Sequence, residues 1–314
     1  MAQHKLGLIG AGQIGGTLAH LALIKNLGSV VLFDIAPGFA EGKALDLSQS
    51  APLEGWSCKI MGTDCPEDLA GCDVVIVTAG FARKPGMSRD DLLNKNAGVI
   101  RDVAQMLRVH APNAFVIVVT NPLDVMVWVM KQATGFAAHQ VIGMAGILDT
   151  ARFRTFLASA LSVDGEEIQA MVLGGHGDLM VPLARYTTIS GIPLSEWVAR
   201  GALTEADLEA IITRTRNGGG EIVSLLKTGS AYYTPAHAAI QMAESILFDR
   251  KRVLPCAAWL DGAYGHHNAY ASVPVILGKG GVESIVHLDL SDHEQAAFDA
   301  SVLSVRKLIQ SLAE

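Results

Sequence analysis

The chain has 314 residues, half of them hydrophobic and 18% charged, which is enough apolar material for two domains sharing an interface and excludes an intrinsically disordered chain. A formal net charge of −7 excludes the basic signature of a nucleic-acid or anionic-membrane binder, so an anionic ligand would need a local cluster of arginines. No apolar run reaches the ~18 residues of a membrane span, Met1 to Lys5 leave no room for a secretory leader, and the four cysteines form no C-x-x-C pair; these features predict a cytoplasmic protein with reduced thiols and no metal.

Leu6, Leu8 and Ile9 predict a strand that stops at Gly10-Ala11-Gly12-Gln13-Ile14-Gly15, after which Leu18, Leu21, Ala22 and Leu23 recur at helical spacing. Val30 to Phe33 predicts a second strand with Asp34 at its tip. The combination is a G-x-G-x-x-G turn between strand and helix, with an acid about 20 residues on. Gly10 lets the strand turn sharply, Gly12 has no Cβ to hold a pyrophosphate away, and Gly15 allows the helix to pack closely. Free N–H groups at the helix start face the phosphates, so Gly10, Ala11, Gly12, Gln13, Ile14 and Gly15 form the expected cofactor loop. Asp34 can accept hydrogen bonds from both hydroxyls of an adenosine ribose and would repel a 2′-phosphate, which favours NAD over NADP. A glycine triplet alone is equally a simple turn; the strand, helix and acid around it carry the reading.

Ala40 to Ser50 predicts a helix ending before Ala51-Pro52, and Lys59 to Met61 a short strand. Asp73 to Thr78 and Ala114 to Thr120 are continuous apolar runs, and between them Arg89 to His110 carries Leu92, Leu93, Val99, Ile100, Val103 and Leu107 at helical spacing. Continuous apolar strands alternating with helices predict a doubly wound parallel sheet covered on both faces. Ligands of such a sheet lie beyond the carboxyl ends of its strands, which makes Val119, Thr120 and Asn121 candidate cofactor contacts, with Asn96 approaching from the side. The Asn121 amide suits nicotinamide or substrate; an Asn-Pro turn is the plainer alternative. Phe81 to Asp91 is polar, basic and bracketed by Gly80 and Gly86, as a closing loop or a solvated basic loop would be. Ser88 and Asp91 form a capping box that places Arg89 in a first helical turn, where the dipole disfavours a cation, so Arg89 serves something other than helix stability.

Ile147 to Leu161 predicts a helix with Asp149 and Arg152 on one face, a surface ion pair at the least. Ile168 to Leu173 reads as one strand delivering Gly174-Gly175-His176-Gly177-Asp178, where glycines clear space around an imidazole. Glu205 to Arg216 and Glu221 to Leu226 read as helices divided by Gly218-Gly219-Gly220, and Thr234 to Asp249 as another. Val253 to Leu260, Ala269 to Ile276 and Ile285 to Leu290 read as an antiparallel sheet; Ser291 and Glu294 cap a last helix that buries Phe298, Val302, Val305 and Ile309. His266-His267 reads as a polar turn, with no carboxylate spaced to join the pair around a metal. The apolar run Met126 to Met130 suits either core or an oligomer contact.

In their order and spacing, Gly10-x-Gly12-x-x-Gly15, Arg83-Lys-Pro-Gly-x-x-Arg89, Thr120-Asn121-Pro122, Leu148-Asp149-x-x-Arg152-Phe153 and Gly174-Gly-His176-Gly-Asp178 resemble the lactate/malate dehydrogenase family over nearly the whole chain. The likeness is greatest to its malate branch nearest the lactate enzymes. The resemblance implies a Rossmann NAD-binding domain over residues 1–145, a mixed α+β catalytic domain over residues 146–314, NAD as cofactor, and a homo-oligomer with tetramer favoured over dimer. It implies that His176 exchanges a proton with the substrate while Asp149 holds its other nitrogen. Arg152 would grip the C1 carboxylate by two parallel hydrogen bonds, Arg89 would polarise the carbonyl oxygen, and Asn121 would contact substrate and nicotinamide. Arg83 stands where lactate dehydrogenases of the family typically carry glutamine; its cation pairs with the second carboxylate of oxaloacetate, which pyruvate lacks. The expected reaction is therefore hydride transfer between (S)-malate and oxaloacetate, with a lactate or broader 2-hydroxyacid dehydrogenase as the alternative. A non-catalytic NAD-binding regulator would explain Gly10 to Asp34 but not His176, Asp149 and the three arginines.

Overall fold

A computed structural model of the chain describes residues 4–81 and 89–312. Short apolar strands alternating with helices build its first half: β1 (Lys5–Ile9), α1 (Gln13–Ile24), β2 (Ser29–Phe33), α2 (Phe39–Glu54), β3 (Ile60–Thr63), β4 (Val74–Val77), α3 (Arg89–His110), β5 (Phe115–Val118), α4 (Leu123–Thr134) and β6 (Val141–Gly143). A long helix, α5 (Ala145–Leu161), opens the second half. Five two-residue strands follow: β7 (Ile168–Gln169), β8 (Val172–Leu173), β9 (Val181–Pro182), β10 (Thr188–Ile189) and β11 (Ile192–Pro193). Then come α6 (Leu194–Ala199), α7 (Glu205–Leu226), α8 (Tyr233–Leu247), β12 (Arg252–Asp261), β13 (His267–Gly278), β14 (Gly281–Ile285) and α9 (Asp292–Gln310).

The first six strands are parallel in the order β3-β2-β1-β4-β5-β6, the doubly wound Rossmann arrangement. Both faces are covered, so the central strands have no polar side: Val74, Val75, Ile76 and Val77 are each fully buried. From β1 the chain winds outward through β2 and β3, then returns to place β4 on the other side of β1. That reversal opens a crevice at the carboxyl ends of β1 and β4, and the residues after β1, β2, β4 and β5 all meet at this end. The antiparallel strands β12, β13 and β14 extend the same sheet past β6 to nine strands.

Several elements differ from the sequence expectation. α2 runs on through Pro52 to Glu54, one turn further, because Gly55 takes the left-handed conformation (φ +75°) and its N–H closes the helix on the Ala51 carbonyl. The expected strand at residues 168–173 is two: β7 pairs with β10, and β8 pairs with β9 in a different sheet. α7 is one unbroken helix through Gly218, Gly219 and Gly220. β14 ends at Ile285, where a strand was expected to begin, and β6 is an additional strand too short to show a pattern. Met126 to Met130 is core: α4 buries Met126, Val127, Val129 and Met130. His266 and His267 do find carboxylates, Asp299 at 2.7 Å and Asp261 at 3.1 Å, but one each. The last helix keeps its Ser291–Glu294 capping box and buries Phe298, Val302 and Val305. Among the described residues no helix is long and apolar enough to cross a membrane.

Candidate active site

The glycine loop forms as its residue types require. Gly10 lies at φ +99°, and a Cβ there would sit 2.8 Å from Thr78 Oγ1 and 2.9 Å from the Ala79 nitrogen. A Cβ on Gly15 would fall 1.8 Å from the Gly10 carbonyl oxygen, so only hydrogen permits α1 to start this close to β1. Gly12 is the reverse case: nothing lies within 4 Å of the Cβ position, and as the N-cap of α1 it offers no side chain to the free N–H groups. An open approach to uncapped amides fits a pyrophosphate. Asp34, half-buried at the tip of β2, accepts N–H bonds from Ala11 at 2.7 Å and from Ala36 at 3.0 Å, one on each oxygen. Its carboxylate is held rigidly beside the loop with lone pairs to spare, as the diol of an adenosine ribose needs.

Beyond β4 and β5, Asn96 from α3 organises the backbone rather than presenting its amide to the crevice. Its Oδ1 accepts from Phe81 N–H at 2.7 Å, and its Nδ2 donates to the Phe81 and Asn121 carbonyls at 3.2 and 2.7 Å. Thr120 is buried and donates to the Ala79 carbonyl at 2.7 Å, Val119 is buried, and Asn121 keeps its side chain exposed before a cis bond to Pro122. The strand end that presents Asn121 is thus tied to the one that begins the basic segment. Arg83 lies outside the described residues, as does Ser88 of the expected capping box; Arg89 starts α3, and its side chain lies outside the description.

The second half brings together His176, Asp149 and Arg152. Asp149 is buried on α5, and its Oδ2 is 2.9 Å from Nδ1 of His176. Its other oxygen accepts from Arg152 Nη1 at 3.2 Å. An ionised carboxylate only accepts, so Nδ1 carries a proton and the neutral ring keeps its lone pair on Nε2, the nitrogen left for a substrate. Burial works against the charged imidazole, but the charge and hydrogen bond of Asp149, with the charge of Asp124 behind, outweigh it and the net shift is upward. Proton transfer at Nε2, with a guanidinium alongside, is the chemistry this cluster can perform.

Two contributors have no counterpart in the sequence reading. Asp124, buried on the first turn of α4, accepts the His176 backbone N–H at 2.7 Å on Oδ2. Burial pushes its carboxyl up to about 6, against the opposing influence of the His176 amide and ring. The signal available was a lone carboxylate in the run Leu123 to Met130. The second is the glycine face of α7: a Cβ at Gly218 would stand 3.1 Å from Arg152 Cδ, and one at Gly219 would stand 3.5 Å from Nη2. These glycines leave room for the Arg152 stem and guanidinium against the helix.

Residues 4–143 match the family model described as lactate/malate dehydrogenase, NAD binding domain, and residues 147–314 match lactate/malate dehydrogenase, alpha/beta C-terminal domain. A curated malate dehydrogenase of Cereibacter sphaeroides is 57% identical over 311 residues, covering 99% of this chain and 97% of the relative. Among solved structures, the malate dehydrogenase of Cryptosporidium parvum superposes with a TM-score of 0.97 at 48% identity, with 99% of each chain covered. The lactate dehydrogenase of the same organism, complexed with lactic acid and nicotinamide adenine dinucleotide, superposes at 0.96 with 43% identity, covering 99% of this chain and 98% of the other. With the whole described fold and both halves of the sequence matched, this chain belongs to the lactate/malate dehydrogenase family, whose first domain binds NAD.

Proposed function

We propose that the chain catalyses the reversible NAD-dependent oxidation of (S)-malate to oxaloacetate. The observation that carries the reading is the buried couple of His176 Nδ1 and Asp149 Oδ2 at 2.9 Å, with Arg152 on the second oxygen of the same carboxylate. The relatives support the choice of substrate, being malate dehydrogenases at 57% identity over nearly the full length. Bound NAD supplies a hydride acceptor in its nicotinamide ring. Gly10 to Gly15 would hold the pyrophosphate, Asp34 the adenosine ribose, and Val119, Thr120 and Asn121 the nicotinamide end. Asn96 acts in the same place through the backbone it ties together.

In the oxidation, Nε2 of His176 accepts the C2 hydroxyl proton, and Asp149 stabilises the imidazolium that results. Arg152 holds the C1 carboxylate through a planar fork that lysine lacks. Arg89 is assigned to the C2 oxygen and Arg83 to the distal carboxylate. Residues 1–145 are assigned to the NAD-binding domain and residues 146–314 to the substrate domain, in a cytoplasmic homotetramer, for which light scattering on the purified protein is the check.

A second reading rests on the nearly as close superposition of a lactate dehydrogenase, and it assigns the same machinery to pyruvate. Initial rates decide between them. With NADH, kcat/KM for oxaloacetate is expected to exceed that for pyruvate by about 100-fold or more, because a cation left facing a methyl group is unpaired. Comparable turnover of the two keto acids would overturn the malate assignment, and equal use of NADPH would overturn the role given to Asp34.

A further inference from the structure

We propose that Asp124 is a positioning residue for His176: it ties the histidine peptide to the strand end that presents Asn121 and places a second negative charge behind the imidazole. The inference rests on the proton-transfer role given to His176 above.

The geometry comes first. His176 follows two residues with little intrinsic rigidity, Gly174 and Gly175, so its backbone must be fixed from outside. Two groups do this. Ser301 Oγ of α9 accepts from Gly175 N–H at 2.8 Å, and Asp124 Oδ2 of α4 accepts from His176 N–H at 2.7 Å. Asp124 is three residues beyond Asn121, so one short segment, closed by α4, fixes both the expected nicotinamide and substrate contact and the peptide of the expected proton carrier.

The charge is a separate observation. An asparagine could accept the same amide, and a buried carboxylate is costly unless fully bonded. Asp124 Oδ1 has no hydrogen-bond partner among the described residues. Such a group is poorly explained as a fastening alone. Among the described residues, the charged groups acting on the His176 ring are Asp149 and Arg152 on α5 and Asp124 on α4; α9 contributes Ser301 and Val305 near Gly175, neither titratable, and Arg216 of α7 is bonded to the Met180 carbonyl. Asp149 and Asp124 favour the imidazolium and Arg152 opposes it, so removing Asp124 shifts the balance toward the neutral ring.

The test uses the full chain with Asp124→Asn, which keeps an acceptor for the amide and removes the charge, and Asp124→Ser as a second neutral variant should the first not fold. The His176 ring is titrated by NMR in the cofactor-free, histidine-labelled protein, its resonance assigned by loss in His176→Gln. The pH profile of kcat/KM for oxaloacetate is measured alongside. In the neutral variants the ring titration and the basic limb of the profile are both expected about half a pH unit or more lower, with NADH affinity within about twofold of wild type. Asp124→Ala, which also loses the acceptor, is expected to lower kcat about tenfold further. An unmoved ring titration overturns the electrostatic half of the proposal, and equal kcat in the Ala and Asn variants overturns the tether. Failure of the wild type to reduce oxaloacetate counts against the assigned reaction instead, because the ring titration is read without substrate.

Discussion

In the role proposed for His176, the direction of catalysis depends on which form of its imidazole is present. Its pKa lies above the ordinary histidine value, so the protonated form persists to higher pH than in a free side chain. Reduction needs Nε2 to give a proton; its rate is therefore full below the histidine pKa and falls as pH rises through it. Oxidation needs the neutral ring and shows the opposite slope. Initial rates of both directions against pH check the assignment, and parallel profiles would refute it. Asp149 bonds the ring on one oxygen and Arg152 on the other, so Asp149→Asn disturbs both the proposed proton carrier and the proposed carboxylate grip. It is expected to lower kcat for reduction by about 10²-fold or more and to move the basic limb to lower pH. Arg152→Lys keeps the charge but loses the fork. Its loss is expected mainly in KM, by about 2 kcal/mol or more, as steady-state kinetics with oxaloacetate would show.

Whole elements position these side chains, and α7 shows how one can be misread. Three consecutive glycines read as a break because each costs a helix about 1 kcal/mol relative to alanine. Here they remain helical, and two of them leave room for Arg152. Gly218→Ala therefore carries opposite expectations: Tm rises by about 1–3 °C, while KM for oxaloacetate rises about threefold or more as the new methyl displaces the Arg152 stem. Thermal unfolding and kinetics on one preparation check both signs, and an unchanged KM would show that the arginine yields freely. The parallel strands were legible because strands buried on both faces leave uninterrupted apolar runs, as in Val74 to Val77. The glycine turn with Asp34 beside it and the pairing of Asp149 with His176 were legible as an arrangement, because the chemistry proposed for them demands those residue types at fixed spacing. The split at residues 168–173 was not, since one apolar run serves equally as one strand or as two that pair in separate sheets. Asp124 was missed for a related reason: an acid in a first helical turn is what the dipole favours anyway, so nothing in the sequence marks its bond to a histidine 52 positions away.

The two family matches part between residues 143 and 147, but the hydrophobic core does not part there. One continuous apolar cluster joins Leu6, Leu8, Leu18 and Ala22 of the first half to Ala239, Ile240, Met242 and Ala243 of α8 and to Leu254 and Cys256 of β12. The sheet crosses the same boundary, since β12 pairs with β6 through Ala257 and Gly143. Cutting the chain at residue 145 would turn β6 into an unpaired edge and strip α8 from the apolar face of α1, leaving both open to association. A fragment of residues 1–145 is therefore expected to be insoluble or to lack a cooperative transition, although it carries every residue of the cofactor loop. By the same reasoning the full chain should unfold in one thermal step, and NADH bound to the first half should raise that whole step, by RT ln(1 + [L]/Kd) in free energy. Calorimetry with and without NADH tests this. Two resolved transitions, only one of them moved by NADH, would show that the shared sheet and core do not couple the halves, and a soluble 1–145 fragment that melts cooperatively would show it independently.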